Sequence, residues 1–268
     1  MLPRRRRSRY FSEMDSGFTA APGGARVVTF DVIGSTNAEA LARARGGERG
    51  PLWLVAKRQT GGRGRRGRTW VSEPGNLYAT LLLTDPSPPD RAASLSFVAA
   101  LAVHDAIVDV APLLGPRLAL KWPNDVLCAG AKCCGILLEG EGDAVALGIG
   151  VNCAHHPADT PYPATDLAAA GAPVAAEALF AALARSATLR LAQWDRGAGF
   201  ASIRADWLKR AEGLGRPIRV RLPERELTGI FEALDEAGRL VLRRADGVAD
   251  TVTAGDVFPL QAFGTEPA

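Results

Sequence analysis

The sequence predicts an α/β fold of two parts, and three observations carry that prediction. Its 268 residues, 47% hydrophobic and 23% charged, suffice for one large core with a small appendage. Up to about residue 215, strand-like apolar runs alternate with helix-length runs. After "EGLGRP" the texture changes to short strands at close spacing with turn signals between them, the pattern of a small β-barrel of about 50 residues. A boundary is therefore expected near Gly215, giving a leader over 1–25, a main domain over 26–215 and a small β domain over 216–265.

Residues 1–25 are rich in Arg, Ser and Gly without periodicity and read as a disordered leader. "ARVVTFDVI" reads as a strand. In "STNAEALARARGG", Thr36 and Glu39 make a T-x-x-E capping box and Gly46-Gly47 end the helix. "LWLVAK" and "NLYATLLL" are strands on either side of a glycine-rich loop, and "RAASLSFVAALAVHDAIVDVAPLL" has the length and Ala/Leu/Val spacing of a buried helix. "RLALKW" is a strand. "DVLC", "KCCGILLEG" and "AVALGIGVNC" should run as a meander, with turns at Ala129-Gly130 and in the acidic stretch 139–143. Helices are expected over about 175–194 and 201–211. "IRVRL", "LTGIFEALDEAGRLVLRR" and "VADTVTAGDVFPL" supply the short strands of the second part.

The net charge of +3 hides an asymmetry: the first ten residues hold five arginines and no acid, so the remainder carries +3 − 5 = −2. A domain that coats nucleic acid would not balance in this way. No apolar run of about 20 residues is evident, and none follows the basic N-terminal residues; neither a membrane span nor a secretory signal is expected, and a cytoplasmic location follows. Cys128, Cys133, Cys134 and Cys153 make no disulfide framework and read as buried free thiols of a reducing compartment.

The cations of the folded part concentrate in "KRQTGGRGRRGRTW", residues 57–70, which holds Lys57, Arg58, Arg63, Arg65, Arg66 and Arg68 and no acid. Gly62, Gly64 and Gly67 fit G-x-G-x-x-G, a dinucleotide-binding spacing. The context argues against that use. A dinucleotide loop leads from a strand into a helix whose N-terminus faces the pyrophosphate, whereas here a turn and a strand follow. Arginines at the x positions would also crowd the close backbone approach. An arginine-glycine nucleic-acid box belongs in low-complexity sequence, not between two good strands. No G-x-x-x-x-G-K-[ST] loop occurs, and His104, His155 and His156 leave little scope for a hydrolase triad. What remains is a mobile, glycine-hinged loop that carries arginines to a small anionic ligand.

Three more blocks pair glycines or a proline turn with polar groups inside apolar strands: "KWPNDVL" at 121–127, "KCCGILLEG" at 132–140 and "GIGVN" at 148–152. Together with "GSTNAEA", "RQTGGRGRRGRTW" and "NLY" they run in one order over residues 34–152. By these blocks the chain resembles the biotin protein ligases, also called biotin–acetyl-CoA-carboxylase ligases. The resemblance continues, on less specific sequence, to near residue 260. It implies a central mixed β-sheet flanked by helices, akin to class II aminoacyl-tRNA synthetase cores, with a small SH3-like C-terminal β-barrel. It also implies a two-step ATP-dependent reaction with Mg²⁺. Biotin and ATP give biotinoyl-5′-AMP and pyrophosphate; a lysine of a biotin carboxyl carrier protein, of acetyl-CoA carboxylase or another biotin carboxylase, then takes the biotinoyl group. Some relatives carry an N-terminal helix-turn-helix. About 25 unpatterned residues precede the first strand here, so the expectation is the monofunctional type, a monomer or homodimer with neither specific DNA nor membrane as partner.

The chemistry fits those blocks. A carboxylate attacking the α-phosphate of ATP brings two anions together, and preorganised cations must offset the repulsion. The resemblance assigns the catalytic part to Arg65 and Lys132. It places biotin on Ser35, Thr36, Asn37, Gln59, Gly62, Arg63, Gly64, Arg65, Trp70, Lys132, Gly148 and Gly150. The nucleotide falls to Arg65, Arg66, Trp70, Lys121, Asn124 and Asn152. Arginine suits the work because its planar fork clasps carboxylate and phosphate bidentately. Mg²⁺ would use ATP oxygens and water, so no metal site fixed by protein carboxylates is expected. A lipoate or octanoate ligase of the same architecture, and a non-catalytic nucleic-acid module using the arginine loop, are the alternatives. "CAHHP" at 153–157 lacks a further partner for zinc, and Cys133-Cys134 either simply packs or makes the site sensitive to thiol reagents.

Overall fold

The computed structural model describes residues 25–260; the leader, apart from Ala25, and the last residues of the expected β domain lie outside the described residues. In chain order the elements are β1 (Arg26–Ile33), α1 (Thr36–Arg45), β2 (Leu52–Gln59), β3 (Leu77–Thr84), α2 (Pro89–Ala92) and α3 (Leu95–Val110). There follow β4 (Leu118–Lys121), β5 (Asp125–Cys128), β6 (Ala131–Glu141), β7 (Ala144–Val151), α4 (Ala176–Trp194) and α5 (Phe200–Leu208). The chain ends with β8 (Pro217–Arg221), β9 (Glu226–Leu234), β10 (Leu240–Arg243), β11 (Ala249–Val252) and β12 (Asp256–Pro259).

Seven strands form one mixed sheet in the order β1-β2-β3-β7-β6-β5-β4, in which β1 and β2 are parallel and the other neighbours antiparallel. The expected β5-β6-β7 meander is present. The sheet is covered on both sides, which explains why its central strands read as unbroken apolar runs. In β2, Trp53 and Val55 face the core built with α3, α4 and α5, while Leu52, Leu54 and Ala56 face α1 through Phe30 and Ala40. Trp53 meets Phe180 of α4 edge-on, at 5.4 Å between ring centroids. In β7 the same alternation sorts side chains by size. Val145, Leu147, Ile149 and Val151 enter the larger core, and Ala144 and Ala146 face α1. Gly148 and Gly150 continue that smaller stripe, because residues two apart share a strand face.

The stretch Asp90–Val110, 21 residues, is long and apolar enough by composition to cross a bilayer, contrary to the expectation that no such run exists. It is the core helix of this fold: Leu95, Val98, Leu101, Ala102 and Ile107 are buried against the sheet and the later helices.

β8 to β12 form a five-stranded antiparallel sheet in the order β11-β10-β9-β8-β12. Its inward residues Ile218, Val220, Phe231, Leu240 and Leu242 belong to the same continuous core as α3 and α4. A hydrogen bond from Trp122 Nε1 to Gly238 O, at 3.1 Å, ties the "KWPND" turn to the β9–β10 turn. All four cysteines are free and buried. Burial pushes the Cys133 and Cys134 thiols far up and Cys153 to about 12, which favours simple packing for the adjacent pair.

Candidate functional site

The helix cap of α1 differs from the sequence expectation. Ser35, extended at φ −155°, is the N-cap residue and its Oγ accepts the Ala38 N–H at 3.4 Å. Glu39 does not reach back to the cap; it pairs with Arg43 at 2.8 Å, one turn along. Thr36 is thereby released from capping, and its side chain turns toward the sheet.

A cavity opens on the α1 face of the large sheet. Its floor is the glycine stripe of β7, with Gly148 opposite Thr80 of β3 and Leu137 of β6, and Gly150 opposite Tyr78 and Gly135. No side chain fits at these two glycines. A Cβ at Gly150 would lie 2.7 Å from the Trp70 indole, and one at Gly148 would overlap the Asn37 amide. Ser35, Thr36, Asn37 and Gln59 line one end of the cavity, while Lys121, Asn124 and Lys132 line the other. Arg63, Gly64, Arg65 and Trp70 of the glycine-arginine loop form its roof.

The loop is a small hairpin. Trp70 N–H donates to Gly62 O at 3.0 Å, Gly64 N–H to Arg68 O at 2.7 Å, and a 3-10 turn over Arg65–Gly67 closes it. Arg66 takes the left-handed conformation, φ 57°. The four arginines diverge. Arg63 meets Glu139 at 3.4 Å. Arg65 donates to Asn124 Oδ1 at 2.9 Å and to Gly255 O at 3.4 Å. Arg66 and Arg68 share the two oxygens of Asp256, each at 3.0 Å. The β11–β12 turn therefore anchors the loop tip from the second sheet.

The cationic end is partly desolvated. Burial lowers the Arg65 guanidinium below its ordinary pKa, against the pull of Asp256 and Asp125. Burial likewise lowers the Lys121 ammonium, with Asp125 opposing the shift and Lys132 adding to it. Lys132 Nζ is 2.6 Å from Asp125 Oδ1 and lies 5.4 Å from the ring centroids of both Trp70 and Tyr162. The Trp70 indole N–H is buried and has no acceptor within the protein.

Three of the expected residues lie off the cavity. Gly62 packs under the Trp70 backbone as part of the hairpin stem. Arg66 points away to Asp256. Asn152 is buried just past β7, where its amide donates to Thr165 O at 3.0 Å and its N–H to Cys133 O, so its polar groups hold the following loop. Sequence reasoning in turn missed lining residues. Asp125 sits inside "KWPNDVL", so its motif was visible but not its contact with Lys132. Tyr162, Asp256 and Phe258 lie in segments without any motif, and only the folded chain brings them to the rim. Among the described residues no three His, Cys, Asp or Glu side chains gather in a way that could hold a metal ion. His156 pairs with Asp166 at 2.6 Å, apart from this cavity.

Residues 30–154 match the biotin/lipoate A/B protein ligase family and residues 213–258 the biotin protein ligase C-terminal domain. The chain is 45% identical over 238 residues to a biotin–[acetyl-CoA-carboxylase] ligase of Paracoccus denitrificans, covering 84% of this chain and 96% of that one. It is 37% identical over 235 residues to the corresponding ligase of Mycobacterium tuberculosis, covering 85% and 86%. The fold resembles that of an Aquifex aeolicus biotin protein ligase solved with biotin and ATP, at a TM-score of 0.76 and 24% identity, over 88% of this chain and 99% of that one.

Proposed function

The chain belongs to the biotin protein ligase family, and from that premise we propose that the cavity activates biotin with ATP and passes it to a carrier lysine. The observation that carries this reading is the polarity of the cavity. A neutral hydrogen-bonding end at Thr36, Asn37 and Gln59 is joined by a glycine floor to a cationic end at Arg65, Lys121 and Lys132. A ureido ring needs donors and acceptors in a tight slot, and a carboxylate meeting a triphosphate needs cations. The neutral end also separates this reading from a lipoate ligase, whose dithiolane substrate offers no ureido donors or acceptors.

In the first step a biotin carboxylate oxygen forms a bond to the α-phosphorus of ATP, and the bond from that phosphorus to the pyrophosphate oxygen breaks. Lys132 and Arg65 hold the two anions together; Arg63 and Lys121 add to the positive field. In the second step a neutral carrier-lysine amine attacks the acyl carbon and AMP leaves. Asp125, half-buried and paired with Lys132 at 2.6 Å, is the carboxylate nearest these cations and can take the proton that the amine sheds. The lining carboxylates Asp125 and Asp256 are both engaged by cations, 2.6 Å and 3.0 Å away. A Mg²⁺ arriving with ATP would be held mainly by phosphate oxygens and water and would ease charge on the leaving pyrophosphate. We take residues 26–215 as the catalytic unit, with the second sheet completing its rim. The carrier is a biotin carboxyl carrier domain.

The test is ATP–pyrophosphate exchange on purified protein. Label should exchange when biotin is present and not with lipoate in its place. Exchange driven by lipoate, or none with either acid, overturns the reading.

A further inference from the structure

Around the Thr36 end of the cavity runs a chain of hydrogen bonds that begins and ends on the arginine loop. Arg63 Nη2 meets Glu139 Oε1 at 3.4 Å, and Asn37 Nδ2 donates to Glu139 Oε2 at 2.9 Å and to Leu137 O at 3.1 Å. Those two acceptors fix the Asn37 amide with its oxygen turned to Thr80, whose Oγ1 lies 2.7 Å from Asn37 Oδ1 and 2.8 Å from Thr36 Oγ1. Thr36 leads to Gln59 Oε1, Gln59 Nε2 donates to Ser72 Oγ at 3.2 Å, and Ser72 donates to Trp70 O at 3.1 Å. Thr80 stands in the middle. It is 0% exposed, does not line the cavity, and is buried within the largely apolar strand β3.

Counting protons assigns the direction. Thr80 has one hydroxyl proton and two oxygen neighbours. Asn37 Oδ1 can only accept, so the Thr80 proton goes there. The Thr36 proton then has two acceptors in reach, Thr80 Oγ1 at 2.8 Å and Gln59 Oε1 at 3.1 Å. Thr36 is left with lone pairs and no proton to offer the cavity. It is thus set as an acceptor, the polarity that an N–H of a ureido ring requires.

We propose that Thr80 is a positioning residue for biotin recognition: it touches no substrate, but its hydroxyl donates to Asn37 Oδ1 and stands against Thr36 Oγ1, holding both side chains in place at the biotin end. The inference rests on the cavity being the biotin site. With a valine at this position Asn37 Oδ1 loses its donor and the Thr36 hydroxyl loses its 2.8 Å neighbour, with Gln59 Oε1 at 3.1 Å as its remaining partner. The ordering of the biotin end is lost while the cationic end is untouched.

The experiment compares Thr80→Val, which keeps the shape, Thr80→Ala, which leaves a small void, and Thr80→Ser, which keeps the hydroxyl. Biotin-dependent ATP–pyrophosphate exchange is read as separate KM values for biotin and ATP, with thermal melting alongside. The two hydroxyl-less variants should raise the biotin KM about 5- to 30-fold, the cost of one buried hydrogen bond, with the ATP KM within about twofold. Thr80→Ser should recover most of the loss. Having two hydroxyl-less variants keeps a result in hand if one of them does not fold. Equal rises in both KM values, a Ser variant no better than Val, or an unchanged biotin KM would each overturn the assignment. If the wild-type protein itself shows no biotin-dependent exchange, the functional reading fails instead, and the two failures are distinct.

Discussion

Substituting Gly150 by alanine tests whether the glycine floor makes the site. The new Cβ would sit 2.7 Å from Cε2 and Nε1 of Trp70 and 2.9 Å from Cζ2. Ordinary carbon contacts begin near 3.5 Å, so the indole must retreat by about 1 Å. Trp70 roofs the cavity and Lys132 Nζ lies over its ring at 5.4 Å, so the shift reaches the cation that faces the reacting carboxylate. A misplacement of about 1 Å at a reacting centre costs on the order of 100-fold in rate. Global stability should move much less. Overpacking costs about 1–3 kcal/mol, and replacing a strand glycine returns about 0.5–1 kcal/mol. Biotin-dependent exchange should therefore show kcat/KM for biotin down on the order of 100-fold in a protein that still melts cooperatively. Gly140→Ala is the matched control, since a Cβ there meets nothing nearer than Ala144 O at 3.7 Å. A folded Gly150→Ala protein within about twofold of wild type in kcat/KM, well short of the loss expected from a displaced indole, would refute the reasoning.

Other predictions follow the charges. Lys132→Ala should lose about 30- to 1000-fold in adenylation, a contact of ~2–4 kcal/mol made mainly in the transition state, and near-normal exchange would remove Lys132 from the machinery. Asp256→Asn frees two loop arginines whose pairs are partly exposed, so the effect is modest: trypsin cleavage in the loop should rise up to about fivefold, and unchanged cleavage would show that the pairs do not hold the loop. Hydrogen bonds from Lys209, Arg190 and Gln193 hold the Asp206 carboxyl well below its ordinary 3.8. A depressed carboxylate favours the fold above that value, and the advantage is lost as pH falls through the folded pKa. Asp206→Asn should thus lower Tm by about 2–4 °C at pH 7, with the gap closing below about pH 3. A gap that persists in acid would place the effect elsewhere.

Much of the site was legible because short blocks carry local chemistry. "GRGRRGR" between two strands announces a cationic loop, and "KWPND" and "GIGVN" announce constrained turns beside a sheet. What misled were residues with two local uses. Thr36 and Glu39 fit a capping box by spacing, yet Ser35 took the cap and Thr36 joined the polar relay. Asn152 ends a recognisable block, but the first turn after β7 consumes its amide. The glycine-hinged loop gave no sign of its shape, a hairpin set by backbone pairing of 62 with 70 and 64 with 68.

The sequence by itself determined the elements, their order and the kind of ligand, since periodicity, turn residues and clustered charge are local properties. The alternation in "AVALGIGV" even records that one face of β7 is stripped to glycine. Which face that is, and what lies over it, depends on contacts far apart in the chain: Asn37 against Gly148, Trp70 against Gly150, Asp256 against Arg66 and Arg68. Those pairings are set by sheet register and by the packing of the second sheet on the first. For that reason Thr80, Tyr162, Asp256 and Phe258 carry no sign of their place until the chain is folded.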